Sequence, residues 1–302
     1  MKIFITGATG FVGSAVAETL SRAGHRVYGL VRSDAKARSL AAREIHPVIG
    51  DMQRMSDLAK TLQEAEVLIH CAADMVNDQT ALDKNVIDAF LTAAKNSSSA
   101  KTIIYSSGVW VHGNTGDTLV DETTPLNPVK LVAWRATHEN IILNAANAKM
   151  RTLVIRPGCV YGGTGSLTGM WFDDAAKNGV IKIIGDGNNR WSMVHRADLA
   201  KAYLRLAESG LSGEVFNITD RSRFTIMENV EAVKKVMGNK AKIQTVPLEE
   251  ARKTMGDFAD CLALDQNIDS RKAVRLLGWA PKFGGFRDSI DTFYASWQAG
   301  QV

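Results

Sequence analysis

The stretch from Lys2 to Gly13, KIFITGATGFVG, constrains the fold of this chain more than any other. Lys2–Thr6 is apolar and β-branched, which suits a buried strand, and the SAVAETLSRAG that follows Gly13 has the spacing of an amphipathic helix. Between them run Gly7, Ala8, Thr9, Gly10, Phe11, Val12 and Gly13. Strand, glycine turn and helix in that order turn a weak GxxGxxG string into an expected dinucleotide site. Gly7 permits the tight turn, Gly10 lets a pyrophosphate approach the backbone, and Gly13 lets the helix lie close to the strand. The pyrophosphate then faces the positive end of the helix. The competing reading is an ordinary βα turn whose glycines serve packing alone.

Downstream, apolar runs alternate with helical stretches. Strands are expected at 26–31, 46–49, 67–71, 101–106, 151–156 and 213–218, with helices at about 80–95 and 198–208. Strands separated by helical stretches imply βαβ units with right-handed crossovers. The expected class is α/β: a Rossmann-type, doubly wound parallel sheet with a smaller C-terminal substrate-binding lobe. Residues 1–157 form the dinucleotide-binding domain, with 191–218 returning to it. Residues 158–190 and 219–302 form the lobe, marked by glycine-rich 161–169, the turn cluster 185–189 and an apolar cluster around Trp279.

The end of the second strand faces the adenosine ribose in such folds. An acidic residue there bonds the 2′-hydroxyl, whereas an arginine accommodates a 2′-phosphate. This chain has Val31-Arg32-Ser33, then Lys36 and Arg38, so NADP(H) is favoured over NAD(H). Asp51 and Met52 are placed to flank the adenine. Cys71 ends the fourth strand, and Ala72 and Ala73 follow as a small-residue turn against the cofactor.

Composition excludes several classes. Net charge is +4, without a Lys/Arg run interleaved with aromatics, so no nucleic-acid partner is expected. No run of about 18 apolar residues suggests a membrane span, and Met1 opens directly into a strand, so no leader is expected. Cys71, Cys159 and Cys261 are far apart with no CxxC. That pattern suits reduced thiols in a cytoplasmic protein and gives no metal site.

Taken together, TGATGFVG at 6–13, GDM at 50–52, HCAA at 70–73, YSSGVWVHG at 105–113, DETTPLNP at 121–128, RPGCVYG at 156–162, GDGNNRWSMVHRADLA at 185–200, GEVFNI at 213–218 and LGWAPK at 277–282 resemble the extended and atypical short-chain dehydrogenase/reductases, the epimerase/dehydratase group. The resemblance covers nearly the whole chain. It implies a bound nicotinamide dinucleotide, a small-molecule substrate and, as in relatives, a possible homodimer. The residues it implies at the cofactor are Gly7, Thr9, Gly10, Phe11, Val12, Gly13, Arg32, Asp51, Met52, Cys71, Ala72, Ala73, Asn85, Arg135 and Pro157.

The family's catalytic core is a Ser/Thr after the fifth strand and a Tyr-x-x-x-Lys on the next helix. A phenol of pKa about 10 exchanges a proton near neutrality only beside a cation that lowers it. Registered by Glu139, the helix puts Leu131 at the tyrosine position and Arg135 at the lysine position, and none of the five tyrosines begins a YxxxK. Arginine keeps the charge but does not release a proton. Ser107, or Ser106 in the other register, remains to bind a substrate oxygen. Tyr161 and His112 are candidate relocated donors, with Lys130 and Asp74 behind them. His195 with Asp198 is read as a structural brace, Trp134 and Trp171 as core or lid aromatics, and Arg190 as either a phosphate ligand or a surface residue.

Three functions fit. The first is an NADP(H)-dependent oxidoreductase of a small carbonyl or conjugated compound. The second is an epimerase, dehydratase or isomerase with recycled cofactor, and the third a non-catalytic NADP(H) sensor. The oxidoreductase is preferred, because an epimerase needs a base that the usual place lacks.

Overall fold

The computed structural model describes residues 1–73 and 78–301; Asp74 therefore lies outside the described residues. In chain order the elements are β1 Lys2–Thr6, α1 Phe11–Arg22, β2 Arg26–Val31, α2 Asp34–Ala41, β3 His46–Ile49, α3 Ala59–Glu64, β4 Val67–His70, α4 Gln79–Lys95 and β5 Lys101–Ser106. There follow α5 Ala133–Asn144, β6 Met150–Pro157, β7 Cys159–Tyr161, α6 Gly169–Asn178, β8 Val180–Ile184, β9 Met193–His195, α7 Arg196–Glu208 and β10 Glu214–Ile218. The last are α8 Ile226–Val236, β11 Lys242–Val246, α9 Leu248–Met255, α10 Phe258–Leu262, α11 Arg271–Leu277 and α12 Ile290–Ala299.

The main sheet has seven strands in the order β10-β6-β5-β4-β1-β2-β3. β1 pairs in parallel with both β2 and β4. Strand order reverses at that point, and the crevice beyond the carboxyl ends of β1 and β4 is where open α/β sheets bind ligands. β4 ends at His70, one residue short of expectation, so Cys71 already belongs to the turn.

The chain divides into two compact units: Met1–Ser107, Thr137–Ile155 and Ala200–Phe216 in the first; Gly108–Ala136, Arg156–Leu199 and Asn217–Val302 in the second. In one apolar cluster of the first unit, Phe4, Leu68, Ile103 and Val154 of the strands meet Val86, Ile87 and Phe90 of α4. The second has its own core, rich in aromatics: Tyr161, Trp171, Phe172, Trp191, Phe286, Phe293 and Trp297.

This division corrects the expected one. Residues 108–136 go with the second unit because backbone bonds stitch them to 265–269: Thr115 and Gly116 donate to Asp265 O, and Val120 bridges Ile268. Gln266 Nε2 also donates to Val109 O and Gly113 O, both at 2.9 Å. Residues 191–199 likewise leave the first unit. β9 pairs with β7, and buried Asp198 accepts from Lys282 N and Phe283 N while its own carbonyl takes Trp279 Nε1. With these segments the second unit is not the smaller one. It also contains a parallel pair, β8 and β11, where a helical remainder was expected. No helix among the described residues is long and apolar enough to cross a membrane.

Candidate functional site

In the first unit, β1 ends at Thr6 and Gly7 turns the chain with φ +73°. A β-carbon on Gly7 would lie 2.8 Å from Ala72 Cα, so strand-end turns after β1 and β4 touch here. Gly10 N donates to Gly7 O at 2.8 Å, which closes the turn. Gly10 caps α1 with no side-chain bond, leaving the helix start to a ligand. Gly13 packs directly on the turn, since a β-carbon there would stand 2.1 Å from Gly7 O.

These residues line a cleft of about 550 Å³ together with Leu30, Val31, Arg32, Ser33, Lys36, Asp51, Met52, Cys71, Ala72 and Ala73. Asp51 Oδ1 accepts from Gln53 N at 2.8 Å and fixes the turn after β3. Ser33 caps α2 through Lys36 N. Asn85 has a supporting place instead of a lining one: its amide donates to Met52 O. The Cys71 thiol is pushed up to about 11 by burial, so it stays neutral and inert beside the cleft.

Behind the cleft the two serines part company. Ser106 Oγ donates to His70 O, and its oxygen lies 2.5 Å from Tyr203 OH. Ser106 is thus part of the sheet's own bonding. Ser107, only 8% exposed, has a hydroxyl with no hydrogen-bond partner among the described residues. An orphaned buried hydroxyl costs stability unless something else uses it.

A buried polar cluster lies beneath. Asp83 Oδ1 accepts from Tyr105 OH at 2.9 Å and from His138 Nδ1 at 2.7 Å. Asp83 Oδ2 is 3.1 Å from His70 Nε2, and His70 Nδ1 is 2.7 Å from Thr6 Oγ1. Thr6, His70 and Tyr105 are register partners across β1, β4 and β5. The cluster therefore joins the strands whose ends shape the cleft. Sequence reasoning missed it. The available signal was Asp83 itself, a charge among the buried positions Leu82, Val86, Ile87 and Phe90 of α4.

The other candidates belong to the second unit. Leu131 sits in a short 3-10 turn before α5 and Arg135 in the first turn of α5, its guanidinium 4.5 Å over the Trp134 ring. Pro157 ends β6. Lys130 pairs with Asp257 at 3.1 Å. His112 is buried, with Nε2 3.1 Å from Asn217 Oδ1 and 3.4 Å from Arg156 Nη1. Such enclosure suits a structural histidine better than a proton donor. Tyr161 is a core residue instead of a donor: it is fully buried, edge-on to His195, Phe286 and Phe293. Burial, then the Asp220 carboxylate, push its phenol far up, opposite to what proton donation near neutrality requires.

His195 Nδ1 accepts from Ala197 N, and its ring stacks on Phe283 at 3.6 Å, a brace for the turn into α7. Arg190 is mostly buried and paired with two carboxylates. Its Nε and Nη2 bond Asp265 at 2.8 and 2.6 Å, and its Nη1 bonds Asp117 at 2.7 Å.

Asp220 gives a pH prediction. Burial raises its carboxyl from 3.8 to about 6, so the fold disfavours the ionised form. Stability is then complete below the unfolded value and falls as pH rises through about 6. Asp220→Asn should raise stability at pH 8 by up to about 2–3 kcal/mol and have little effect near pH 4. Urea midpoints at the two pH values check this; an equal gain at both would contradict it.

A family model described as NAD dependent epimerase/dehydratase family matches residues 3–219. The chain belongs to this family. Membership places it among nicotinamide-dinucleotide enzymes of the oxidoreductase and epimerase kind. Among relatives, an uncharacterized protein of Schizosaccharomyces pombe is 29% identical over 294 residues, 93% of this chain and 95% of its own. A 4-hydroxy-2-methyl-3-oxo-4-farnesyl-3,4-dihydroquinoline-1-oxide ketoreductase of Stigmatella aurantiaca is 25% identical over 260 residues, 83% of this chain and 78% of its own. Among solved structures, the dTDP-glucose 4,6-dehydratase of Bacillus anthracis in complex with NAD superposes with TM-score 0.84 at 20% identity, covering 100% of this chain and 97% of that one. That likeness carries the fold.

Proposed function

We propose that this family member is an NADP(H)-dependent oxidoreductase of the short-chain dehydrogenase type, acting on a small carbonyl or conjugated substrate. One observation carries the cofactor choice: Arg32, Ser33 and Lys36 line the same cleft as the glycine turn. No carboxylate takes the position after β2 that would bond a ribose 2′-hydroxyl. The turn and the start of α1 would hold the pyrophosphate, Arg32 and Lys36 the 2′-phosphate, and Asp51–Met52 the adenine edge. A cradle that a β-carbon at Gly7 or Gly13 would fill fits such a group. When bound, the nicotinamide supplies the hydride chemistry.

The chain's own residues do the rest. Ser107 donates its hydroxyl hydrogen to the substrate oxygen and so draws the carbonyl toward reduction. Leu131 has no proton to give, and Arg135 holds its proton throughout. The proton that completes the reduction therefore comes from water. The ketoreductase name of the Stigmatella relative supports the same reaction class.

Titration with NADPH and NADH, read by tryptophan quenching, tests the reading. NADPH should bind more tightly, and Arg32→Asp should weaken NADPH by roughly 10–100-fold while NADH changes little, as loss of one charge-assisted phosphate contact implies. A carbonyl screen should show steady NADPH consumption. Ser107→Ala should lower kcat/KM about 100-fold without moving the NADPH Kd. Binding without consumption of NADPH by any carbonyl would favour the sensor. Conversion with no net cofactor change would favour an epimerase.

A further inference from the structure

A second cavity, of about 360 Å³, lies entirely within the second unit. Trp171 and Trp191 line it as a stacked pair, with ring centroids 5.3 Å apart and planes 20° from parallel. Trp191 is held in place because its Nε1 donates to Leu262 O at 2.9 Å. Ile183 of β8, Val246 of β11 and Met255 of α9 continue the lining. Met170, also lining it, is 43% exposed, an apolar side chain turned partly to water.

Charge narrows what such a space accepts. Lys182 is the one basic residue among those lining it, against the carboxylates of Asp174 and Glu250. Glu250 is itself paired with Lys253 at 2.7 Å. The strongest nearby cation in sequence, Arg190, is turned to Asp265 and Asp117 and is only 16% exposed in its side chain. With Glu250 held by Lys253, Lys182 and Asp174 offset each other, so a phosphate brought here would meet no net positive charge, whereas an apolar ring gains contact area with two indoles.

We infer that this cavity binds an uncharged, ring-bearing small molecule and discriminates against a phosphorylated one. The size suits a compact ligand site, for which volumes begin at about 300 Å³. The inference goes beyond the reductase reading and is independent of it, because the binding can be measured without any nicotinamide cofactor.

Calorimetric titration of the whole chain with 1-naphthol and with 1-naphthyl phosphate tests it, since the two share a ring and differ by the phosphate. The naphthol should bind with a Kd of roughly 10–100 µM, as the efficiency of small ligands allows, and the phosphate at least about tenfold more weakly. Ala251→Phe fills the cavity, and Thr254→Trp narrows it from an exposed position that tolerates a large side chain. Each should weaken naphthol by about tenfold or more while NADPH quenching stays as in the parent. Equal or tighter binding of the phosphate would overturn the inference. So would no binding of either compound, or naphthol binding that neither variant changes.

Discussion

Gly13→Ala is expected to abolish dinucleotide binding. The added β-carbon would sit 2.1 Å from Gly7 O and 2.7 Å from Gly7 C. Both are backbone atoms of the turn that closes on Gly10, so no flexible side chain can give way. Either α1 moves off β1 or the turn opens, and both displace the helix start from the pyrophosphate position. Overpacking of this kind costs about 1–3 kcal/mol of stability. The loss in NADPH affinity should be larger, at least about 100-fold, because the turn is the site. Gly10→Ala is the control: its β-carbon would lie 3.2 Å from Gly7 O, so the fold should hold better. Thermal melting and fluorescence titration separate the two effects. NADPH binding by Gly13→Ala within about threefold of the parent would show that the turn does not hold the cofactor.

Asp83→Ala should have the largest effect on stability, about 3–5 kcal/mol, a large part of what a domain possesses. Asp83 is 5% exposed, accepts from Tyr105 OH and His138 Nδ1, and lies 3.1 Å from His70 Nε2. Removing the carboxylate strands both of these donors in a buried space. Since His70 immediately precedes the Cys71–Ala73 turn, NADPH binding should weaken as well. Urea unfolding measures the first consequence. A loss below about 1 kcal/mol would mean that the cluster contributes no more than an ordinary surface pair.

The cleft of the first unit was legible because its residues are local: Gly7–Gly13, Arg32–Lys36, Asp51–Met52 and Cys71–Ala73 each follow a strand, and strand periodicity fixes where strands end. Asn85 was harder to read, since an amide on a helix declares neither whether it lines a site nor whether it ties a neighbouring turn. The Asp83 cluster joins Thr6, His70, Tyr105 and His138, residues brought together only by strand register and helix packing. Tyr161 reads as an accessible loop tyrosine until β7 pairs with β9 and draws it into an aromatic core. Arg190 is similar. Its two carboxylate partners lie 73 and 75 positions away, beyond any local pattern. The division of the chain failed for the same reason, because bonds from 108–136 to 265–269 are invisible to composition.

The first unit is assembled from three separate stretches of chain, ending at Ser107, Ile155 and Phe216. During synthesis, five strands of the main sheet emerge in succession, but β6 and β10 arrive only after long stretches belonging elsewhere. At cellular translation speeds the interval between β5 and β10 is on the order of ten seconds. A nascent chain therefore presents an open sheet edge for that period, first β5 until β6 arrives and then β6 until β10 arrives. Premature termination before β10 leaves one of these two edges permanently uncovered, β5 in products that end before β6 and β6 in longer ones, a template for aggregation, so shortened products should be cleared or precipitate and not accumulate as half-molecules.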